Sequence, residues 1–107
     1  MTSLDRTLAA LADPRRRAVV DVLRRGPRAA GELARELGVS ASLMSRQLRA
    51  LREGGLVEDS HPSFDTRVRI YSLSPAPMVE LKRWLEETER GWSQQLAAFK
   101  SYLETER

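Results

Sequence analysis

The chain has 107 residues, of which 41% are apolar, enough for one domain with a modest core. It contains no cysteine, which excludes disulfides and thiolate metal ligands, and no apolar run near the roughly 20 residues that a bilayer-spanning helix needs. The net charge is only +3, but residues 1–75 carry 13 basic and 9 acidic side chains (net +4) while residues 76–107 carry 5 and 6 (net −1), so the basic excess is confined to one part of the chain.

The first segment, MTSLDRTLAALADP, has an early acid and a short apolar stretch, unlike a signal peptide, so the expected compartment is the cytoplasm. Leu4, Leu8, Leu11 and Ala12 form the apolar stripe of a first helix, about residues 3–12. Asp13 as N-cap and Pro14 as first helical residue start a second helix, which runs to about Arg25 with Val19, Val20, Val22 and Leu23 on its apolar side. Arg15, Arg16 and Arg17 place positive charge at the N-terminus of that helix, against its dipole. Such a cost points to a partner, either an ion pair within the protein or a phosphate. Gly26-Pro27 ends the helix.

A third helix, about Ala30–Leu37, carries Leu33, Ala34 and Leu37 on one face, and Gly38 suits a left-handed exit. Its N-cap position holds Ala29, which lacks a capping oxygen. Ser40 then caps a fourth helix, about Ala41–Glu53. Leu43, Met44, Leu48 and Leu51 recur at helical spacing and face a core; Ser42, Ser45, Arg46, Gln47, Arg49 and Arg52 are left outside. That outer face has no acid before Glu53. Helix, short glycine-containing turn, helix is the helix-turn-helix pattern, and the fourth helix has the make-up of one that enters a DNA major groove.

After Gly54-Gly55 the period changes from helical to two. Leu56–Asp59 is a short strand, residues 61–66 are turn-rich, and Arg67–Leu73 alternates as a half-buried strand. Val68, Ile70 and Ser72 share one face; Arg67, Arg69, Tyr71 and Leu73 share the other, which brings Arg67 and Arg69 outward to bracket phosphates or enter a minor groove, with Asp65 placed to hold Arg67. The two strands form a β-hairpin, the wing of a winged helix, at about residues 56–73. An exposed strand whose charges discourage edge pairing is the competing reading. His61 is the only histidine and lies in the wing.

Ser74–Pro77 breaks the chain before a last helix, about residues 78–105. Met78, Leu81, Leu85, Thr88, Trp92, Gln95, Phe99 and Tyr102 follow alternating steps of three and four, with Leu96 and Leu103 beside the later positions. About 28 residues span roughly 42 Å, longer than one small domain covers. The economical partner for the uncovered stripe is a second subunit, with Leu4, Leu8, Leu11, Leu85, Trp92, Leu96 and Phe99 as the dimer interface. Gly91 is a candidate bend.

The strings LAALADPRRRAVVDVL, GPRAAGELARELGVSASLMSRQLRALREGGLV and RVRIYSLSPAP together resemble the ArsR/SmtB family of bacterial winged-helix repressors, over nearly the whole chain. The resemblance implies a homodimer built on the first and last helices, and repression through an inverted-repeat operator. The tail from Trp84 to Tyr102 looks like the subgroup without metal sites. Members that sense thiophilic metals carry a cysteine pair on the third helix, where this chain reads GELARELG, and the last helix has no histidine, so no metal and no cofactor is expected.

The expected architecture is thus mainly α with a small β-hairpin, a single winged helix-turn-helix domain over residues 1–107 with a long C-terminal dimerisation helix. Its expected partners are double-stranded DNA, a second copy of the chain, and an effector that the residues do not name. Candidate DNA-contacting residues are Ser40, Ser42, Ser45, Arg46, Gln47, Arg49, Arg67 and Arg69. A MarR-type regulator, usually longer at both ends, and a winged-helix protein-interaction module without DNA binding are the alternatives. Catalysis is not expected: one loop histidine cannot build a triad, and there is no G-x-S-x-G or phosphate-cradling glycine loop.

Overall fold

In the computed structural model, residues 2–62 and 67–105 are described. Asp65, read above as a partner of Arg67, lies outside them. The chain runs α1 (Ser3–Leu11), α2 (Pro14–Leu23), β1 (Arg28–Ala29), α3 (Ala30–Leu37), α4 (Ala41–Glu53), β2 (Val57–Ser60), β3 (Ile70–Leu73) and α5 (Pro75–Thr105).

The helix ends follow from local chemistry. Thr2 and Asp5 make a reciprocal capping box at α1: the Thr2 hydroxyl accepts from the Asp5 N–H at 3.1 Å and the Asp5 carboxylate accepts from the Thr2 N–H at 3.2 Å. Asp13 caps α2 by accepting from the Arg15 N–H at 2.8 Å, with Pro14 in the first turn. Helix α3 has no side-chain cap at Ala29; instead Glu32 reaches back to accept from the Ala29 N–H at 3.0 Å. Two glycines make the exits possible. Gly38 has φ +65° and Gly55 has φ +78°, a conformation that strains any residue with a Cβ. Each lies within a paired closure: Val39 N–H to the Ala34 carbonyl at 3.0 Å, and Leu56 N–H to the Leu51 carbonyl at 2.9 Å.

The core sits where α2, α3, α4 and the sheet converge. Leu33 and Leu51 are fully buried, and Val19, Met44, Leu48 and Leu56 nearly so. Tyr71 closes the core from β3. On α1 the inward residues are Thr7 and Ala10, while Leu8 is exposed and Leu4 half-buried. Thr7 is tolerated inside because its hydroxyl donates to the Ser3 carbonyl at 3.0 Å.

The sheet has three antiparallel strands in the order β1-β3-β2. Strand β1 was not expected. Two residues show no period, and Gly26-Pro27 reads only as a stop. Its pairing of Arg28 with Tyr71 and Ala29 with Ile70 ties the entry of α3 to the wing. The wing strand expected over Arg67–Leu73 pairs only from Ile70 onward.

Helix α5 begins at Pro75, three residues earlier than expected. Pro75 and Pro77 fall in the first turn, where a missing N–H breaks no helical hydrogen bond, so they start the helix rather than delay it. It runs through Gly91 as one helix of 31 residues, about 46 Å. Its early part packs on α1, where the Ser3 hydroxyl meets the Glu80 carboxylate at 2.9 Å. No residue of α5 is buried within the chain, and the molecule extends 71 Å along its long axis against 26 Å across. Among the described residues no helix is long and apolar enough to cross a membrane.

Candidate nucleic-acid interface

Helix α4 packs through Met44, Leu48 and Leu51, which turns Ser42, Ser45, Arg46 and Arg49 to solvent along the opposite face. Ser40 accepts from the Leu43 N–H at 3.1 Å, so its own hydroxyl hydrogen stays available to a phosphate. The exposed face therefore offers two hydroxyls and two guanidinium groups on a rigid, capped helix. Arginine on such a face can fork onto guanine O6 and N7.

Gln47 departs from this arrangement. The sequence places it outside, but it is only 8% exposed and its Oε1 is buried without a hydrogen-bond partner among the described residues. The reason is helical phase. Gln47 follows Leu43 and Met44 by four and three positions and precedes Leu51 by four, which puts it on the buried side at 100° per residue. Binary patterning misassigns it because its amide is polar. It borders a small apolar crevice lined by Val19, Leu37, Val39 and Met44.

The wing also differs in detail. Tyr71 turns into the core, so the face it shares with Arg69 looks toward α4 rather than freely outward. Arg69 approaches Asp59 of β2 at 3.7 Å, and Arg52 of α4 approaches the same carboxylate at 3.3 Å. Asp59 is only 14% exposed, whereas both arginine side chains are about half exposed. Between helix and wing lies an open cleft of about 500 Å³, lined by Ser45, Arg49, Arg52, Glu53, Arg69 and Tyr71. Sequence reasoning counted Arg52 as outward but missed its link to Asp59. The available signal was an acid on a strand that follows a basic helix and faces a basic strand. Arg67 is exposed, before β3, and is not brought into this cleft. His61 lies at the wing with Nδ1 3.0 Å from the Val68 carbonyl, which accepts from the Nδ1–H tautomer.

The arginine run at the start of α2 has a structural answer. Arg16 and Arg17 reach back to the C-terminal carbonyls of α1, at 2.6 Å to Ala10 and 2.6 Å to Leu11. Their charge opposes the dipole of α2 but complements that of α1.

The expected dimer residues divide by location. Leu85, Trp92, Leu96 and Phe99 stand 52–64% exposed along α5, with Leu8 exposed and Leu4 half-buried on α1. Leu11 packs against the intrachain core. Among the described residues no three His, Cys, Asp or Glu side chains gather as a metal site.

Residues 11–59 match a helix-turn-helix domain family. The chain is 39% identical over 104 residues to the HTH-type transcriptional regulator Rv2034 of Mycobacterium tuberculosis, covering 97% of this chain and 92% of that one. A second regulator from that organism, NmtR, is 39% identical over 75 residues, 70% of this chain and 60% of its own length. Among solved structures, an ArsR-like transcriptional regulator from Rhodococcus sp. RHA1 superposes with a TM-score of 0.78 at 32% identity, covering 92% of this chain and 91% of that one. The homodimeric winged helix-turn-helix DNA-binding domain of a possible ArsR-family regulator from Mycobacterium bovis does so with a TM-score of 0.65 at 28% identity, covering 82% and 79%. At 39% identity over nearly the whole chain to a curated regulator, and 32% identity over 92% of the chain to an ArsR-like structure, the chain belongs to the ArsR family of winged helix-turn-helix transcriptional regulators.

Proposed function

We propose that residues 1–107 form a single-domain repressor that binds an inverted-repeat operator as a homodimer, one α4 entering each of two successive major grooves. The observation that carries this proposal is the outer face of α4: Ser42, Ser45, Arg46 and Arg49 are exposed together on a helix whose other side is anchored in the core. Ser40 donates to a backbone phosphate, and Arg67 and Arg69 extend the contact along the wing. The exposed stripe of α5 supplies the second subunit, continued by Leu4 and Leu8 of α1, as expected of a helix too long for its own domain. Such a regulator acts in the bacterial cytoplasm, on nucleoid DNA. It needs no resident metal and performs no catalytic step. Fluorescence anisotropy with the duplex upstream of its own gene tests this directly. The logarithm of affinity should fall linearly with the logarithm of salt concentration, with a slope near −0.9 for each phosphate neutralised. Weak binding that does not respond to salt on any duplex would contradict it and favour a protein-interaction module.

A further inference from the structure

Asp59 stands between two arginines that come from different elements. Its Oδ1 lies 3.3 Å from Nε of Arg52 on α4, and its Oδ2 lies 3.7 Å from Nε of Arg69, just before β3. Each carboxylate oxygen thus serves one guanidinium group. The carboxylate is 14% exposed while the arginine side chains remain 55% and 52% exposed. Asp59 is therefore a covered anchor beneath two open cations. Each arginine engages through Nε, which leaves the Nη hydrogens to serve a second acceptor. The cross-strand pairing of Asp59 with Tyr71 fixes the anchor, because Tyr71 is buried in the core. Ser45 and Arg49 line the same cleft from the recognition face of α4.

We propose that Asp59 is a positioning residue that holds Arg52 and Arg69 as one clamp for a backbone phosphate of the DNA, seated in the cleft between α4 and the wing. The proposal rests on the DNA-binding function given above. Without the shared carboxylate the two guanidinium groups repel each other, and Arg52 and Arg69 lose the group that links them. With it, Arg49, Arg52 and Arg69 line the cleft beside one carboxylate, Glu53, so that even with Asp59 paired to two of them a surplus of positive charge remains in a site shaped by two elements. Arginine suits the site because its planar fork meets two phosphate oxygens at once.

The sign of one effect separates this role from simple electrostatics. Asp59 is an acid on a DNA-facing surface, so its removal should tighten binding if charge alone matters. A positioning role requires the opposite. With the full chain and the duplex upstream of its gene in an anisotropy titration, Arg52→Ala and Arg69→Ala should each weaken binding roughly tenfold. Asp59→Ala should weaken it by a similar factor and reduce the magnitude of the salt slope, a change that a loss of fold stability alone does not produce. In the Asp59→Ala background, Arg69→Ala should cost less than about twofold, since the partner that positions Arg69 is already gone. Asp59→Asn keeps the side-chain size and an accepting oxygen, so it should fall between the two and carries the test if Asp59→Ala melts early by circular dichroism. Asp59 variants that bind as tightly as the wild type, or more tightly, with an unchanged slope would overturn the clamp alone. A wild-type chain without salt-dependent binding would overturn the DNA-binding function and the clamp with it.

Discussion

The guanidinium of Arg16 closes the end of α1: its Nε donates to the carbonyl oxygen of Ala10 at 2.6 Å. Nη2 adds a second bond to the Ala9 carbonyl at 3.2 Å, and the group also lies 3.6 Å from Asp13, the N-cap of α2. One side chain thus satisfies the last carbonyls of one helix and sits against the cap of the next. Helix α1 has no basic residue of its own in its last turn, so the charge is supplied from α2.

Arg16→Ala should therefore destabilise the fold by about 1–3 kcal/mol, the range for losing charge-assisted hydrogen bonds to carbonyls left half-buried. Urea unfolding measures it. The salt slope of DNA binding should stay unchanged, because Arg16 is engaged within the protein. A variant of wild-type stability that lost salt-dependent affinity would reassign Arg16 to DNA contact.

Gln47→Met should stabilise the protein by about 1 kcal/mol, since it replaces a buried amide oxygen that has no partner among the described residues with an apolar chain of similar size. DNA affinity should change less than about twofold. Thermal melts and a titration of the same sample check both, and a large loss of affinity at unchanged stability would restore Gln47 to the recognition face.

Most of the fold was legible in the sequence because its punctuation is local. Asp13-Pro14, Gly38-Val39-Ser40 and Gly54-Gly55 mark helix ends by capping and by left-handed backbone, and the boundaries of α3 and α4 fall where these residues put them. The misreadings share another origin. Gln47 is polar by type but inward by phase, and Tyr71 is inward although its strand neighbours suggested an outward basic face. Pro75 and Pro77 look like breakers when no first turn is assigned to them. Strand β1 and the Asp59 ion pairs depend on partners about 40 and 10 residues away, which periodicity within one window cannot register. The outward positions of Ser42, Ser45, Arg46 and Arg49 followed directly from helical phase.

Helix capping offers a matched pair of stability tests. Ser40→Ala removes the oxygen that accepts from Leu43 and should cost about 1 kcal/mol. Ala29→Ser adds an acceptor where α3 has none and should gain about 0.5–1 kcal/mol. Denaturant midpoints of the two variants should move in opposite directions from the wild type. Movement in the same direction would contradict the cap assignments.

The exposed stripe of α5 predicts how the molecule comes apart. Trp92→Glu and Phe99→Glu place a charge at positions 64% and 60% exposed within one chain. Neither touches the intrachain core, so the domain around Leu33 and Leu51 should stay folded. Sedimentation should show the dimer dissociating, with self-affinity reduced more than about 30-fold for a central aromatic anchor. Loss of helicity should be confined to what α5 contributes. A dimer of wild-type affinity in both variants would place the interface elsewhere.

The central claim is that the outer face of α4 reads DNA, and Arg46 is its most exposed test. The measurement is the affinity of wild-type and Arg46→Ala chains for the duplex upstream of the gene, against the same duplex with scrambled half-sites, at matched salt. Loss of a fork onto guanine costs about 1–3 kcal/mol at each half-site, so Arg46→Ala should bind the specific duplex at least tenfold more weakly and discriminate it less from the scrambled one. An Arg46→Ala dimer that binds and discriminates as the wild type does would contradict the claim.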